Sequence, residues 1–217
     1  MSNKENNSGW RSLLSNGFFY QLVQTVFSER RSKQLILDEF VNPAGKGCKV
    51  LDIGCGPGNL VSFLPSHVHY FGLDVNPDYI ESASKRFAEF NNAQFIRGTA
   101  ADFFDSKFLP DETVDVVIIH GVLHHVEDEV AAEMFALARK KLKSGGKMVV
   151  LEPVWFKGQS PLRKWVMTKD RGNNIKRDND WIELFTRLTD EWASSNTRIK
   201  QNLIRFYDLI VLDVVKN

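Results

Sequence analysis

The sequence has little of what marks an extracellular or membrane protein. Its 217 residues include only two cysteines, Cys48 and Cys55, whose spacing around one strand suits neither a disulfide nor a zinc site. No apolar run approaches the roughly 18 residues that cross a bilayer, and residues 1–9 lack the pattern of a signal peptide. We therefore expect a cytoplasmic protein with reduced thiols, no membrane span and no metal site.

Excess charge is also missing. The formal net charge is +1, so no overall field draws the chain to nucleic acid, and we expect no nucleic-acid partner. The hydrophobic content of 43% can fill one complete core, whereas the length is short for two. A single domain over residues 1–217 is the expected organisation.

Short apolar runs alternate with amphipathic segments along the middle of the chain. Strands are predicted at residues 48–53, 69–74, 94–97, 114–120 and 147–152, and helices at 59–64, 77–90 and 127–142. This alternation predicts a parallel sheet with right-handed crossovers. Two helices at residues 18–27 and 31–41 precede it, and a helix at 179–188 and strands at 195–200 and 206–215 follow it.

A glycine-rich turn follows the first strand. Gly54, Gly56 and Gly58 let the backbone turn tightly and approach a ligand closely. The second strand ends at Asp74, where a carboxylate can accept two hydrogen bonds from a ribose. A dinucleotide-binding fold would place a third glycine where this chain has Asn59. The turn therefore indicates a nucleoside cofactor other than a dinucleotide.

The run from Asp52 to Gly58 resembles the first motif of class I S-adenosylmethionine-dependent methyltransferases. Asp74, the segments at residues 98–102 and 115–126, and the run at residues 142–152 match the same family in chain order. The resemblance implies an α/β fold: a single-domain Rossmann-like, seven-stranded mixed sheet with helices on both faces and the last strand antiparallel. More loosely, residues 152–161 are similar to small methyltransferases of bacterial surface-polysaccharide biosynthesis.

The resemblance also implies a set of residues that bind S-adenosyl-L-methionine. In this family Asp52 would accept from the glycine-turn amides, Asp74 would bind the ribose, and Asp102 would accept from the adenine amino group. Val75 and Asn76 would lie beside the adenine, and His120 would meet the cofactor through its backbone. The complete expected set is Asp52, Gly54, Cys55, Gly56, Gly58, Asp74, Val75, Asn76, Ala101, Asp102 and His120. We interpret Cys55 as a packing residue, since nothing adjacent would lower its pKa.

Three residues at the carboxyl ends of the fourth and fifth strands are the catalytic candidates. His124 is our first choice as a base that removes a proton from an acceptor hydroxyl, and His125 is the second. Glu152 either orients a substrate hydroxyl or holds His124. The structural alternative is that the histidines cap a helix or bond a carbonyl, and that Glu152 is a strand-end carboxylate in water.

The expected domain has four segments: residues 1–45 as a helical cap, 46–152 as the cofactor-binding core, 153–180 as a lid, and 181–217 as a helix and strands. Residues 155–180 contain seven cations against three aspartates, 7 − 3 = +4, together with Trp155, Phe156 and Trp165. This segment, with Trp181 behind it, is either a cap whose cations receive an anionic acceptor, or a solvated face with core aromatics, or a platform for single-stranded nucleic acid.

The favoured acceptor is a small molecule, with the methyl group moving to a hydroxyl of a sugar or another metabolite. One alternative acceptor is a macromolecule, either RNA or protein. A second alternative is a protein that binds S-adenosylmethionine without catalysis. The sequence leaves open whether the chain is a monomer or a homodimer.

Overall fold

Seven strands form one mixed sheet in the spatial order β3-β2-β1-β4-β5-β7-β6. The strands are β1 (Lys49–Ile53), β2 (His69–Asp74), β3 (Ala93–Arg97), β4 (Val114–His120), β5 (Leu142–Pro153), β6 (Ser194–Ile204) and β7 (Tyr207–Val215). Strands β1 to β5 run parallel, whereas β7 lies antiparallel between β5 and β6. The predicted Rossmann-like sheet with a reversed last strand is confirmed.

The structure is a computed structural model that describes residues 30–168, 174–204 and 207–217, and for residues 201–204 and 207 the backbone alone. The predicted helix at residues 18–27 lies outside the described residues, as do residues 169–173 of the predicted lid. Residues 30–36 form helix α1, which continues as a π-helical turn (Leu37–Val41) and a 3-10 turn (Asn42–Ala44).

Helices cover both faces of the sheet. After α1 they are α2 (Pro77–Arg86), α3 (Ala100–Phe104), α4 (Asp128–Lys141), α5 (Pro161–Met167) and α6 (Asp178–Leu188), with short 3-10 turns at Val61–Phe63 and Leu123–His125. Pro77 occupies the first turn of α2, where its missing N–H costs nothing. The helices predicted at residues 127–142 and 179–188 are confirmed within about a residue at each end.

Three local features differ from the sequence analysis. The helix predicted at residues 59–64 is only the 3-10 turn Val61–Phe63, because the glycine turn still occupies the preceding residues and Leu64 is already extended. Helix α3 was not predicted. The glycines at 145 and 146 do not end a helix: α4 stops at Lys141, and Gly145 lies inside β5, where its N–H bonds the carbonyl of Lys216.

The core lies in two layers, one on each face of the sheet. Leu51 and Ile53 of β1 pack with α4 and α6 on one face, whereas Val50 packs on the other face with the residues that follow α1. Four consecutive residues of β4, from Val116 to Ile119, are almost fully buried, as expected for a strand covered on both sides. This packing fixes the carboxyl ends of β1, β2, β4 and β5 at one edge of the sheet, where the candidate site lies.

Candidate functional site

The glycine turn is tied to the end of the neighbouring strand. The carbonyl of Leu73 accepts from the N–H groups of Gly54 (2.7 Å) and Cys55 (3.1 Å), and Oδ2 of Asp74 accepts from the N–H of Gly56 at 2.8 Å. Gly56 has a φ of +55°, and no atom lies within 4 Å of the position that a Cβ would take. The turn therefore presents rigid backbone with open space above it, which fits close approach of a cofactor.

The glycine turn also contacts the loop after β4. A Cβ on Gly54 would lie 2.4 Å from Cγ2 of Val122, and the φ of Gly54 is +79°. Only glycine can occupy this position without displacing Val122 or straining the backbone. The loop that carries the candidate catalytic histidines is therefore packed directly on the predicted cofactor turn.

Asp74 stands between the turn and helix α2. Its Oδ1 accepts from the N–H of Asn76 at 2.8 Å, while Oδ2 holds Gly56. Each carboxylate oxygen can accept two hydrogen bonds, so both oxygens keep capacity for ribose hydroxyls. The ribose contact of Asp74 stays a prediction, and the structure adds that this side chain also shapes the turn.

The expected role of Asp52 is wrong. Its carboxylate does not hold the glycine-turn amides, whose acceptors are Leu73 and Asp74, but accepts from the hydroxyl of Tyr70 at 2.7 Å. Asp52 points into the interior because the alternation along β1 turns it away from the turn. Burial raises the pKa of Asp52 to about 6, although the Tyr70 hydrogen bond and the charge of Lys33 act to lower it.

Cys55 lies within the turn and has the environment of a packing residue. Burial raises the pKa of its thiol, and the charges of Asp52 and Asp74 raise the pKa further. The thiol therefore stays protonated, and an unreactive thiol agrees with its predicted role in packing.

Two of the residues expected around the adenine also have structural tasks. The side-chain oxygen of Asn76 caps α2 by accepting from the N–H groups of Asp78 (2.9 Å) and Tyr79 (3.4 Å), and the contact of Asn76 with the adenine stays a prediction. Asp102 forms a capping box at the start of α3, in which Oδ2 accepts from the N–H of Thr99 at 3.0 Å. The Thr-x-x-Asp spacing of this capping box was visible in the sequence.

The remaining adenine candidates lie at the surface. Val75 is 61% exposed, and Ala101 is exposed in the first turn of α3. An apolar side chain open to solvent beside Asp74 suits the face of a bound ring, so its cofactor contact stays a prediction.

Glu152 and His124 form a buried pair at the ends of β5 and β4. The two residues are 0% and 4% exposed, and Nδ1 of His124 lies 2.6 Å from Oε2 of Glu152. Oε1 of Glu152 accepts from the N–H groups of Val122 (2.8 Å) and Leu123 (2.7 Å). Of the two roles predicted for Glu152, the structure has the one in which it holds His124. Glu152 also bonds the backbone of the loop after β4 at Val122 and Leu123.

The other two histidines differ in position. His120 is the last residue of β4, in register with Leu151 of β5, and is partly buried. His125 is exposed, with its ring centroid 3.9 Å from that of His124. His124 is thus the histidine that the fold orients through a carboxylate, and His125 is its solvent-facing neighbour.

The segment after β5 closes over this edge of the sheet. Asn174 donates its backbone N–H to the carbonyl of His124 (3.1 Å) and its side-chain amide to the carbonyl of Val126 (3.2 Å). The segment encloses a cleft of about 780 Å³ that Trp155 and Phe156 line. Trp181, expected among the aromatics of the lid, is fully buried and donates Nε1–H to the carbonyl of Pro153 at 3.0 Å, so it belongs to the core.

Neither a membrane-spanning helix nor a cluster of metal ligands is present in the described part of the chain. In those residues no helix has the length and apolarity to traverse a bilayer. Nor do the described histidines, cysteines and carboxylates include a group of three or more placed to hold a metal ion.

Comparisons with known proteins identify the family of this chain. A family model described as a methyltransferase domain matches residues 44–202. The human thiol S-methyltransferase TMT1A is 28% identical over 152 residues, which cover 67% of this chain and 61% of that protein. In this and two further curated relatives, the matched part covers between 37% and 61% of the relative's length.

Solved structures share the fold. The phosphoethanolamine N-methyltransferase 2 of Haemonchus contortus, in complex with phosphomonomethylethanolamine and S-adenosylhomocysteine, superposes with a TM-score of 0.69 at 15% identity, covering 92% of this chain and 56% of that one. A putative S-adenosylmethionine-dependent methyltransferase of Methanococcus maripaludis gives a TM-score of 0.62 at 22% identity, covering 100% of this chain and 97% of the other.

Proposed function

Because this chain belongs to the class I S-adenosylmethionine-dependent methyltransferases, we propose that it moves a methyl group to a hydroxyl of a small molecule, with His124 as the base. The observation that carries the proposal is the buried Glu152–His124 pair, on a loop that packs against the glycine turn through Val122. The turn, the carboxylate of Asp74 and the histidine therefore form one continuous site.

The described residues fit the cofactor. Gly56 leaves room for it, and Asp74 keeps acceptor capacity for two ribose hydroxyls. When bound, S-adenosylmethionine supplies an electrophilic methyl group on a sulfonium, so little acid–base chemistry is compulsory. The residues of the chain have to align the acceptor and exclude water.

The tautomer of His124 follows from its partner. The backbone N–H groups of Val122, Leu123 and His124 all donate to the Glu152 carboxylate, so both of its oxygens act as acceptors. Nδ1 of His124 therefore carries the hydrogen that points to Oε2, and in the neutral ring Nε2 carries the lone pair. A base with a lone pair fixed by a buried carboxylate suits removal of a proton from an acceptor hydroxyl.

The atom that receives the methyl group differs among the similar enzymes. The relatives named above are a thiol S-methyltransferase and a phosphoethanolamine N-methyltransferase, which act on different elements. Oxygen is proposed here because a hydroxyl gains most from an adjacent base, whereas a thiol ionises more readily without one. Acceptors that carry sulfur or nitrogen belong in the same assay.

Cofactor binding is tested first, by thermal shift with S-adenosylhomocysteine and with NAD. Ligand at 100 times its Kd stabilises the folded state by about 2.7 kcal/mol, and only S-adenosylhomocysteine should give this shift. Asp74→Ala should abolish the shift, whereas Asp78→Ala, at an exposed position at the start of α2, should retain it. Stabilisation by NAD alone would overturn the assignment.

Catalysis is tested by formation of S-adenosylhomocysteine with a panel of small hydroxyl, thiol and amine compounds, and with RNA and protein. His124→Ala should reduce turnover of a hydroxyl acceptor by about 100-fold or more while leaving cofactor affinity unchanged. His125→Ala is the matched control and should keep most of the activity. Full turnover by His124→Ala would refute the role of the base, and cofactor binding without transfer to any acceptor would favour a non-catalytic protein.

A further inference from the structure

The cleft formed by the segment after β5 combines aromatic and basic side chains. It is lined by Trp155 and Phe156, by the cations Lys157, Lys164 and Arg177, and by Gln159. Its volume of about 780 Å³ is within the range of clefts that hold small ligands. Asp178 is the acidic residue among its lining residues, so the cations exceed the carboxylates by 3 − 1 = 2.

Two of the five described cations between residues 155 and 180 are paired with carboxylates outside the cleft. Arg163 pairs with the fully buried Asp208 at 2.5 Å, and Lys176 pairs with Asp128 at 3.0 Å. In contrast, Lys157, Lys164 and Arg177 form no ion pair with any carboxylate in the described parts of the chain. Among the described cations of this segment, the three without a carboxylate partner therefore all line the cleft.

Gln159 supplies a second, independent sign of a ligand. It is 5% exposed, and its Nε2 donates to Oδ2 of Asp208 (3.1 Å), to Sδ of Met167 (2.8 Å) and to the carbonyl of Val154 (3.4 Å). Because all three partners are acceptors, the amide nitrogen has to face them, and this leaves the carbonyl oxygen on the other side. That Oε1 atom is buried without a hydrogen-bond partner in the described structure, which is costly unless a donor reaches it.

We propose that this cleft binds the methyl acceptor and that the acceptor is an oxyanion. Lys157, Lys164 and Arg177 receive a carboxylate or phosphate group, Trp155 and Phe156 cover an apolar body, and a hydroxyl or amine of the ligand donates to Oε1 of Gln159. Asn174, three residues before Arg177 of the cleft, donates its backbone N–H to the carbonyl of His124, so the chain that lines the cleft is also bonded to the loop that carries the base. This inference rests on the proposed function and adds the substrate class to it.

The proposal is tested by calorimetric titration of the full chain, saturated with S-adenosylhomocysteine, with phenylacetate, phenyl phosphate and the neutral 2-phenylethanol. Saturation is established separately by thermal shift. A failure to bind the cofactor would contradict the proposed function, whereas a failure of the saturated protein to bind either anion would overturn the proposal for the cleft. We expect at least one anion to bind about tenfold more tightly than the neutral compound at low salt. The ratio of the two anions distinguishes a carboxylate from a phosphate ligand.

Paired variants separate specific recognition from general charge. The double variant Lys157→Gln/Lys164→Gln should weaken the preferred anion by about tenfold and leave the neutral compound unchanged. Lys85→Gln, an exposed lysine on α2 far from the cleft, is the control and should have no effect. Equal loss in the control, or equal affinity for neutral and anionic probes, would overturn the proposal.

The role of Gln159 has its own readout, the ratio of the affinities for 4-hydroxyphenylacetate and phenylacetate. The wild type should prefer the hydroxylated compound, and Gln159→Met should lose that preference while still binding the anion. If Gln159→Met does not fold, the wild-type ratio alone decides, since a ratio of one would refute the hydrogen bond. Displacement of the anion by a single-stranded oligonucleotide of higher affinity would also overturn the small-molecule assignment.

Discussion

Asp52 makes the free energy of unfolding depend on pH in a direction opposite to that of most carboxylates. Its pKa rises from 3.8 to about 6 on folding because the carboxylate is buried. Between these two values the folded state retains a proton that the unfolded state has released. The contribution of Asp52 to stability is therefore complete below pH 3.8 and is lost as the pH rises through 6.

The size of this effect follows from the two pKa values. A rise of the pKa from 3.8 to about 6 corresponds to about 3 kcal/mol when the window is fully crossed, and most of this falls between pH 4 and pH 8. Asp52→Asn keeps an oxygen that can accept from the Tyr70 hydroxyl but removes the titration. We therefore expect the variant to gain between about 2 and 3 kcal/mol in the free energy of unfolding relative to the wild type as the pH is raised from 4 to 8.

Urea unfolding of both proteins at several pH values measures this difference, and subtraction cancels the titration of all other groups. Tyr70→Phe is a second probe: it removes a hydrogen bond that lowers the pKa of Asp52, so the window should extend to higher pH. Parallel stability curves for the wild type and Asp52→Asn, within about 0.5 kcal/mol, would refute the reasoning.

Three further predictions concern the same site. Glu152→Gln places an amide N–H against the N–H donors of His124. We therefore expect the free energy of unfolding to fall by about 2 kcal/mol and hydrogen exchange to become faster at residues 122–124. Unchanged exchange would contradict the role of Glu152 in holding this loop. Gly54→Ala should lower the Tm and the cofactor affinity, because its Cβ would contact Val122. Gly45→Ala is the control: its φ is +89° and no neighbour is near, so it should lose only the stability that the strained backbone costs. Equal losses of stability in the two variants would argue against the contact with Val122. The thiol of Cys55 should react with iodoacetamide far more slowly in the folded than in the unfolded protein at pH 8, as followed by mass spectrometry, and rapid modification would show that it is accessible.

The strands were predictable because each is a short apolar run bounded by polar residues. β2 and β4 were predicted with the bounds that the structure has, since both are buried runs that end at a polar residue, Asp74 and His120. The length of β5 was underestimated because its first residues, at the glycines, are held by backbone bonds to Lys216, and such a partner cannot be read from local pattern.

The site was predictable in its location and only partly in its roles. Parallel strands end at one edge, so Asp74, His124 and Glu152 could be placed together from their positions in the chain. The role of Asp52 could not be derived, because its partner Tyr70 is set by the register between β1 and β2, in which Tyr70 pairs with Val50. The helix cap formed by Asn76 was predictable in principle, since an asparagine directly before a helix that begins with proline commonly caps that helix.

The position of β7 between β5 and β6 has a consequence for how the protein is made. A ribosome releases residues 142–153 well before residues 207–215, so the growing chain displays one side of β5 without its neighbour. That side is an unpaired edge of an apolar strand, the kind of surface that joins edge to edge with another chain. We expect nascent chains of this protein to depend on chaperones until the seventh strand emerges and fills the gap.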